Sequence, residues 1–134
     1  MELKKLIVDT KEAWVDFPGI SGFSVLVVNL SRKELLALRK RCTSQKFDRK
    51  TRAVVDVLDE ERFVKEFTNA TLKGWKGLKM KDLEMLLPVD VSEEDPEKEL
   101  PFSVENAEVL VSSSVEFDTW LNEVVFDLEN FRSR

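Results

Sequence analysis

The chain has 134 residues, 43% of them hydrophobic and 35% charged, enough for one core and too few for two comfortable domains. Its net charge of −5, from 26 acids against 21 bases, argues against unaided binding to nucleic acid or anionic lipid, both of which need a basic footprint. With no histidine and no tyrosine, it lacks the commonest general acid–base, the commonest zinc ligand and every Ser-His or Cys-His nucleophilic pair, so a catalyst is not expected.

In chain order, the first thirty residues read as strands. Leu3 to Asp9 is a short apolar-containing run, Ala13 to Phe17 follows, and Phe23 to Val28 is rich in β-branched residues. Between the last two, Phe17-Pro18-Gly19-Ile20-Ser21-Gly22 combines a fixed φ with two permissive glycines and predicts a turn. The N-terminal run meets Glu2 and Asp9 too soon for a secretory leader, and no stretch approaches the ~20 apolar residues that span a bilayer.

Ser31 with Glu34 three residues on forms a capping box, predicting a helix from Arg32 to about Thr43. Leu35, Leu38 and Cys42 share one face of it, and Arg39, Lys40 and Arg41 suit its C-terminal dipole. Cys42 is the one cysteine, which excludes an internal disulfide, fits a reducing cytoplasm, and reads as a buried thiol. Ser44 to Arg52 is polar and basic, an exposed loop or hairpin tip, and Val54 to Leu58 is a short strand. Asp59 caps a helix from Glu60 to about Thr71 with Phe63, Val64, Phe67 and Ala70 in one stripe. Lys73-Gly74-Trp75-Lys76-Gly77-Leu78 reads as the glycine-rich end of that helix. A helical turn over Lys81 to Leu87 stops at Pro88.

Asp90 to Glu99 carries six acids and Pro96, and like charges at this density predict a linker. It lacks the glycine and the twelfth-position Glu of a calcium loop, and no metal or other cofactor is expected. Ser103 caps the next helix, with Val104, Ala107, Leu110 and Val111 on one face. Ser112-Ser113-Ser114 interrupts it, and a last helix runs from about Val115 to Phe131. Its stripe is Phe117, Trp120, Leu121, Val124, Leu128 and Phe131, with Val125 at the edge. A stripe of that kind reads first as core; the alternative is core that also extends into a partner groove or a neighbouring subunit, since helical anchors at i, i+3, i+4 and i+7 serve recognition equally well.

The expected fold is therefore α+β: a small N-terminal antiparallel sheet or meander followed by several packed helices with a C-terminal helix pair. One domain over 1–134 divides into a β-rich portion (1–30), a mixed helical portion (31–87), an acidic loop (88–100) and the helix pair (101–131). The expected activity is protein binding, with Trp75, Phe102, Phe117, Trp120, Leu121, Val124, Leu128 and Phe131 as the contact residues.

Trp75-Lys76-Gly77-Leu78, then Leu100-Pro101-Phe102-Ser103-Val104-Glu105-Asn106 and a closing helix pair, resembles the small tail assembly chaperones of long-tailed bacteriophages. The upstream Phe23 to Val28 strand and Leu30-Ser31-Arg32-Lys33-Glu34-Leu35 fit the same pattern, so the likeness covers roughly residues 22–131. The resemblance implies a non-catalytic protein that coats the helical tape-measure protein and helps recruit tail-tube subunits, with self-association left open. It implies work in the cytoplasm of the infected cell and absence from the finished virion. The β-rich start and the acidic insert before Pro101 depart from a wholly helical expectation. Two other readings remain: a tail-completion or connector protein that stays in the virion, and an acidic inhibitor of a host protein.

Overall fold

The computed structural model describes residues 2–7 and 11–132. In chain order the elements are a 3-10 turn (Leu3–Lys5), strands β1 (Glu12–Asp16) and β2 (Ser24–Val28), helix α1 (Arg32–Arg41), strands β3 (Thr43–Asp48) and β4 (Ala53–Leu58), helix α2 (Glu60–Thr71) and strand β5 (Leu72–Lys76). The short helix α3 (Met80–Leu83), helices α4 (Val104–Ser113) and α5 (Val115–Phe126), and a 3-10 turn (Leu128–Phe131) complete the chain. The fold is α+β, with the sheet strands at the N-terminus and the helix pair at the C-terminus.

β1 and β2 form an antiparallel hairpin with Trp14 opposite Leu26, joined by the turn over 17–22 in which Gly19 and Gly22 take positive φ. Alternation sends Ala13, Val15, Val25 and Val27 toward the core and Trp14 outward. β5 then pairs antiparallel with the other edge of β2, with a bulge at Leu26/Val27, giving the order β1-β2-β5. This corrects the expectation of a glycine-rich helix end at 73–78. α2 stops at Thr71, and the next residues are extended because β2 offers them backbone partners. Gly74 fits there since the Trp14 ring, reaching across Leu26, covers it. Leu3 to Asp9 is likewise corrected: Leu3–Lys5 is a single exposed turn, and Val8 and Asp9 lie outside the described residues. β5 supplies the third strand that this run was expected to add.

Ser31, Asp59, Ser103 and Ser114 each accept a hydrogen bond from the backbone N–H three residues on, starting α1, α2, α4 and α5. Ser114 is buried, and this one extended residue separates α4 from α5. α5 ends at Phe126, five residues earlier than its apolar stripe predicts. The reason is competition for its last carbonyls: Leu30 N–H and Asn29 Nδ2 donate to Val125 O at 3.3 and 2.8 Å, and Asn130 Nδ2 donates to Val124 O. Asp127 turns extended and caps the closing 3-10 turn instead.

One core joins both halves. Phe17 and Phe23 from the hairpin meet Phe117 and Trp120 of α5, with ring centroids 5.0 to 6.3 Å apart. α2 packs against β2, β5 and α4, so the helices cover the inner sheet face. The acidic segment is not a free linker. Glu97 bridges Lys79 and Lys81 at 2.7 and 2.8 Å, Glu99 accepts from Gly77 N–H, and Leu100 N–H donates to Leu78 O at 2.7 Å. Those two ammonium groups hold the Glu97 carboxyl well below its ordinary range, at about 2. Paired lysines and backbone donors outweigh the repulsion that composition alone predicts.

Candidate protein-binding site

The two motifs that carry the phage resemblance meet in space. Trp75 Nε1 donates to Leu100 O at 2.9 Å, and the Phe102 ring stands edge-on to the Trp75 indole at 5.0 Å and 86°. Gly77 has φ 80°, and a Cβ there would sit 1.9 Å from Gly22 O. Ser103 caps α4, and Asn106 Nδ2 returns a bond to Pro101 O. All these roles are architectural: they fasten the 100–103 segment to the third strand.

Most of the expected contact residues are therefore unavailable to a partner. Trp75, Phe117, Leu121 and Val124 are buried, with Phe117 and Leu121 at 0% exposure. The stripe of α5 was expected to double as an interface; its middle is consumed by the hairpin's phenylalanines. Phe102 and Trp120 are half-buried at the core's edge. The end of the row reaches the surface most fully. Leu128 is 62% exposed, and Phe131, though itself buried, lies beneath a groove.

That groove runs between the N-terminal segment, α1 and the C-terminal turn. Leu6, Ile7, Ala37, Leu128 and Phe131 give it apolar walls, and Lys4, Lys11, Lys33 and Arg132 rim it, with Glu34 as the opposing charge. Its volume of about 960 Å³ lies at the upper end of the ~300–1,000 Å³ typical of specific clefts. Leu6, Ile7 and Ala37 were not expected as contact residues. The one signal in the sequence was the Leu3 to Asp9 run, read as a strand.

A second groove separates α2 from α4. Val64, Val109 and Val111 line it, and Glu60, Glu61, Glu105, Glu108 and Asp118 surround them, with Lys65 alone opposing. Its volume is about 750 Å³.

Cys42 is a buried thiol. The residue is 2% exposed, and its thiol donates to Glu66 Oε2 at 2.9 Å. Burial first, and the Glu66 carboxylate second, push the thiol above its ordinary value of 9.0. Glu66 is held low by that thiol and by Arg41 and Arg62, which bond it at 3.3 and 3.0 Å. Among the described residues, no cluster of three or more Cys, Asp or Glu side chains is arranged to hold a metal ion, and no helix is long and apolar enough to cross a membrane.

No protein-family model matches the chain, and neither the curated proteins nor the solved structures include a significant match.

Proposed function

We propose that this protein is a non-catalytic assembly chaperone of a long-tailed phage, holding apolar helical segments of the tape-measure protein and aiding recruitment of tail-tube subunits. The observation that carries this reading is the groove at the end of the α5 row, where Leu128 is 62% exposed beside Leu6, Ile7 and Ala37. Apolar surface of this kind costs solubility unless it is covered, and a partner helix presenting apolar anchors at i, i+3 and i+7 is a ligand that suits an apolar groove. The cationic rim favours client segments with acids flanking the anchors. The phage-like motifs supply the biological setting, and the lack of His and Tyr in the sequence fits a role in contact and not turnover.

The test is co-expression with a candidate tape-measure protein, a very long and largely helical chain. The client's soluble yield rises with the wild-type chain and falls back with Leu128→Glu, which alters an exposed side chain. Unchanged client solubility together with no co-purification refutes the proposal. The tail-completion alternative separates by mass spectrometry of purified virions, since a chaperone is missing there and a connector is present. The acidic-inhibitor alternative has less support, because Glu94, Glu97 and Glu99 of the acidic run are already engaged within the molecule.

A further inference from the structure

The β3–β4 hairpin stands apart from the sheet and core. Its six-residue strands pair from Thr43↔Leu58 to Asp48↔Ala53 as a separate two-stranded sheet, and its main packing is against the end of α1. Strands of this length put the tip roughly 20 Å from the base. A two-stranded ribbon is marginally stable alone, and an open ribbon exposes pairing edges that natural proteins normally cover. Near this tip Phe47 and Val54 sit directly opposite one another, 65% and 62% exposed. Arg49, Lys50 and Arg52 form the turn beside them and Lys46 lies on the opposite face; the hairpin's acids are Asp48, which caps the turn through Lys50 N–H, and Asp56, opposite Gln45 one same-face pair nearer the base. The chain as a whole is acidic, so this basic, apolar tip is a local inversion.

The α2–α4 groove is its counterpart. It has an apolar floor of Val64, Val109 and Val111 inside an acidic rim, and no hairpin residue contributes to its walls. Among the described residues, none of Glu60, Glu61, Glu105, Glu108 and Asp118 forms an ion pair.

We infer that the hairpin tip of one molecule docks into the α2–α4 groove of a second copy, with Phe47 and Val54 against the valines and the tip cations against the rim carboxylates. The donor and acceptor surfaces differ, so the contact is head-to-tail. Each bound copy still presents one free tip and one free groove, and the contact propagates into a ring or an open chain. Opposed charges steer the encounter and fix its direction, while the buried Phe47–Val54 pair holds it. This inference does not depend on the client reading, because the two grooves are distinct and the assembly needs no client.

Sedimentation velocity of the full chain alone, over a concentration series at low and high salt, tests it. The wild type forms species larger than a monomer, in a concentration-dependent way, and high salt weakens them. Reversing the tip (Arg49→Glu, Lys50→Glu, Arg52→Glu) weakens association about a hundredfold or more, as does reversing the rim (Glu60→Lys, Glu61→Lys, Glu105→Lys). Circular dichroism confirms that both variants fold. Mixing them restores assembly, since the acidic tip of one now meets the basic groove of the other, and the basic tip meets the acidic groove. A wild type that stays monomeric at every concentration overturns the inference. So does a mixture of monomeric variants that fails to assemble. Assembly that survives rim reversal also overturns it and points to hairpin–hairpin pairing.

Discussion

Replacing Gly77 by alanine perturbs the point where β5 leaves the sheet beside the β1–β2 turn. Two costs can be worked separately. The residue has φ 80°, and holding an alanine in left-handed backbone costs roughly 1–2 kcal/mol. The added Cβ would also lie 1.9 Å from Gly22 O and 2.8 Å from Gly22 C, contacts with backbone that no rotamer change relieves. Gly22 itself is at φ 84°, inside the turn that brings Phe23 into the core, so moving it strains a second constrained residue by about 1–3 kcal/mol. The sum, about 2–5 kcal/mol, is a large part of the ~5–15 kcal/mol that holds a domain together. Gly19→Ala is the internal control: its φ is 91°, and nothing lies within 4 Å of the position a Cβ would take, so only the first cost applies. Urea unfolding followed by tryptophan fluorescence measures both variants, with an unchanged slope required for the comparison. If Gly77→Ala destabilises no more than Gly19→Ala, the close approach of these two loops is not a determinant of the fold.

Other expectations rest on separate features. Phe117→Ala, at the centre of the aromatic cluster, costs about 3–5 kcal/mol, whereas Leu128→Ala at an exposed position stays within about 0.5 kcal/mol; equal effects in thermal unfolding contradict the division between core and surface drawn here. Cys42 reacts slowly with a thiol reagent in the native protein at neutral pH and rapidly in denaturant, and fast native labelling refutes its burial beneath Glu66. Glu97 titrates near pH 2 by carbon-detected NMR, so the stability from its lysine pairs is present above the free-carboxyl value of 4.5 and is lost as pH falls through about 2. A midpoint near 4.5 shows that the acidic segment is not tied to Lys79 and Lys81.

Local chemistry in the sequence determined the elements that depend on it. The capping side chains of Ser31, Asp59 and Ser103 announce their helices because each cap involves residues only three apart. The β1–β2 turn is equally local, set by Gly19 and Gly22. The helical stripes were legible as apolar, but a periodic stripe does not say what lies against it. Tertiary structure decided that Phe117 faces the hairpin's phenylalanines and that it and Leu121 are fully buried, and so closed to partners. It also decided that residues 72–76 are a strand, since their partner in β2 lies some fifty residues upstream. The end of α5 was set by Asn29 and Leu30, which claim its carbonyls from across the fold. The two grooves belong to the same class: Leu6, Ala37 and Leu128, or Val64 and Val109, become neighbours only when distant segments pack. Spacing along a chain encodes helix faces and turns, while a surface for a partner is made by the folded molecule.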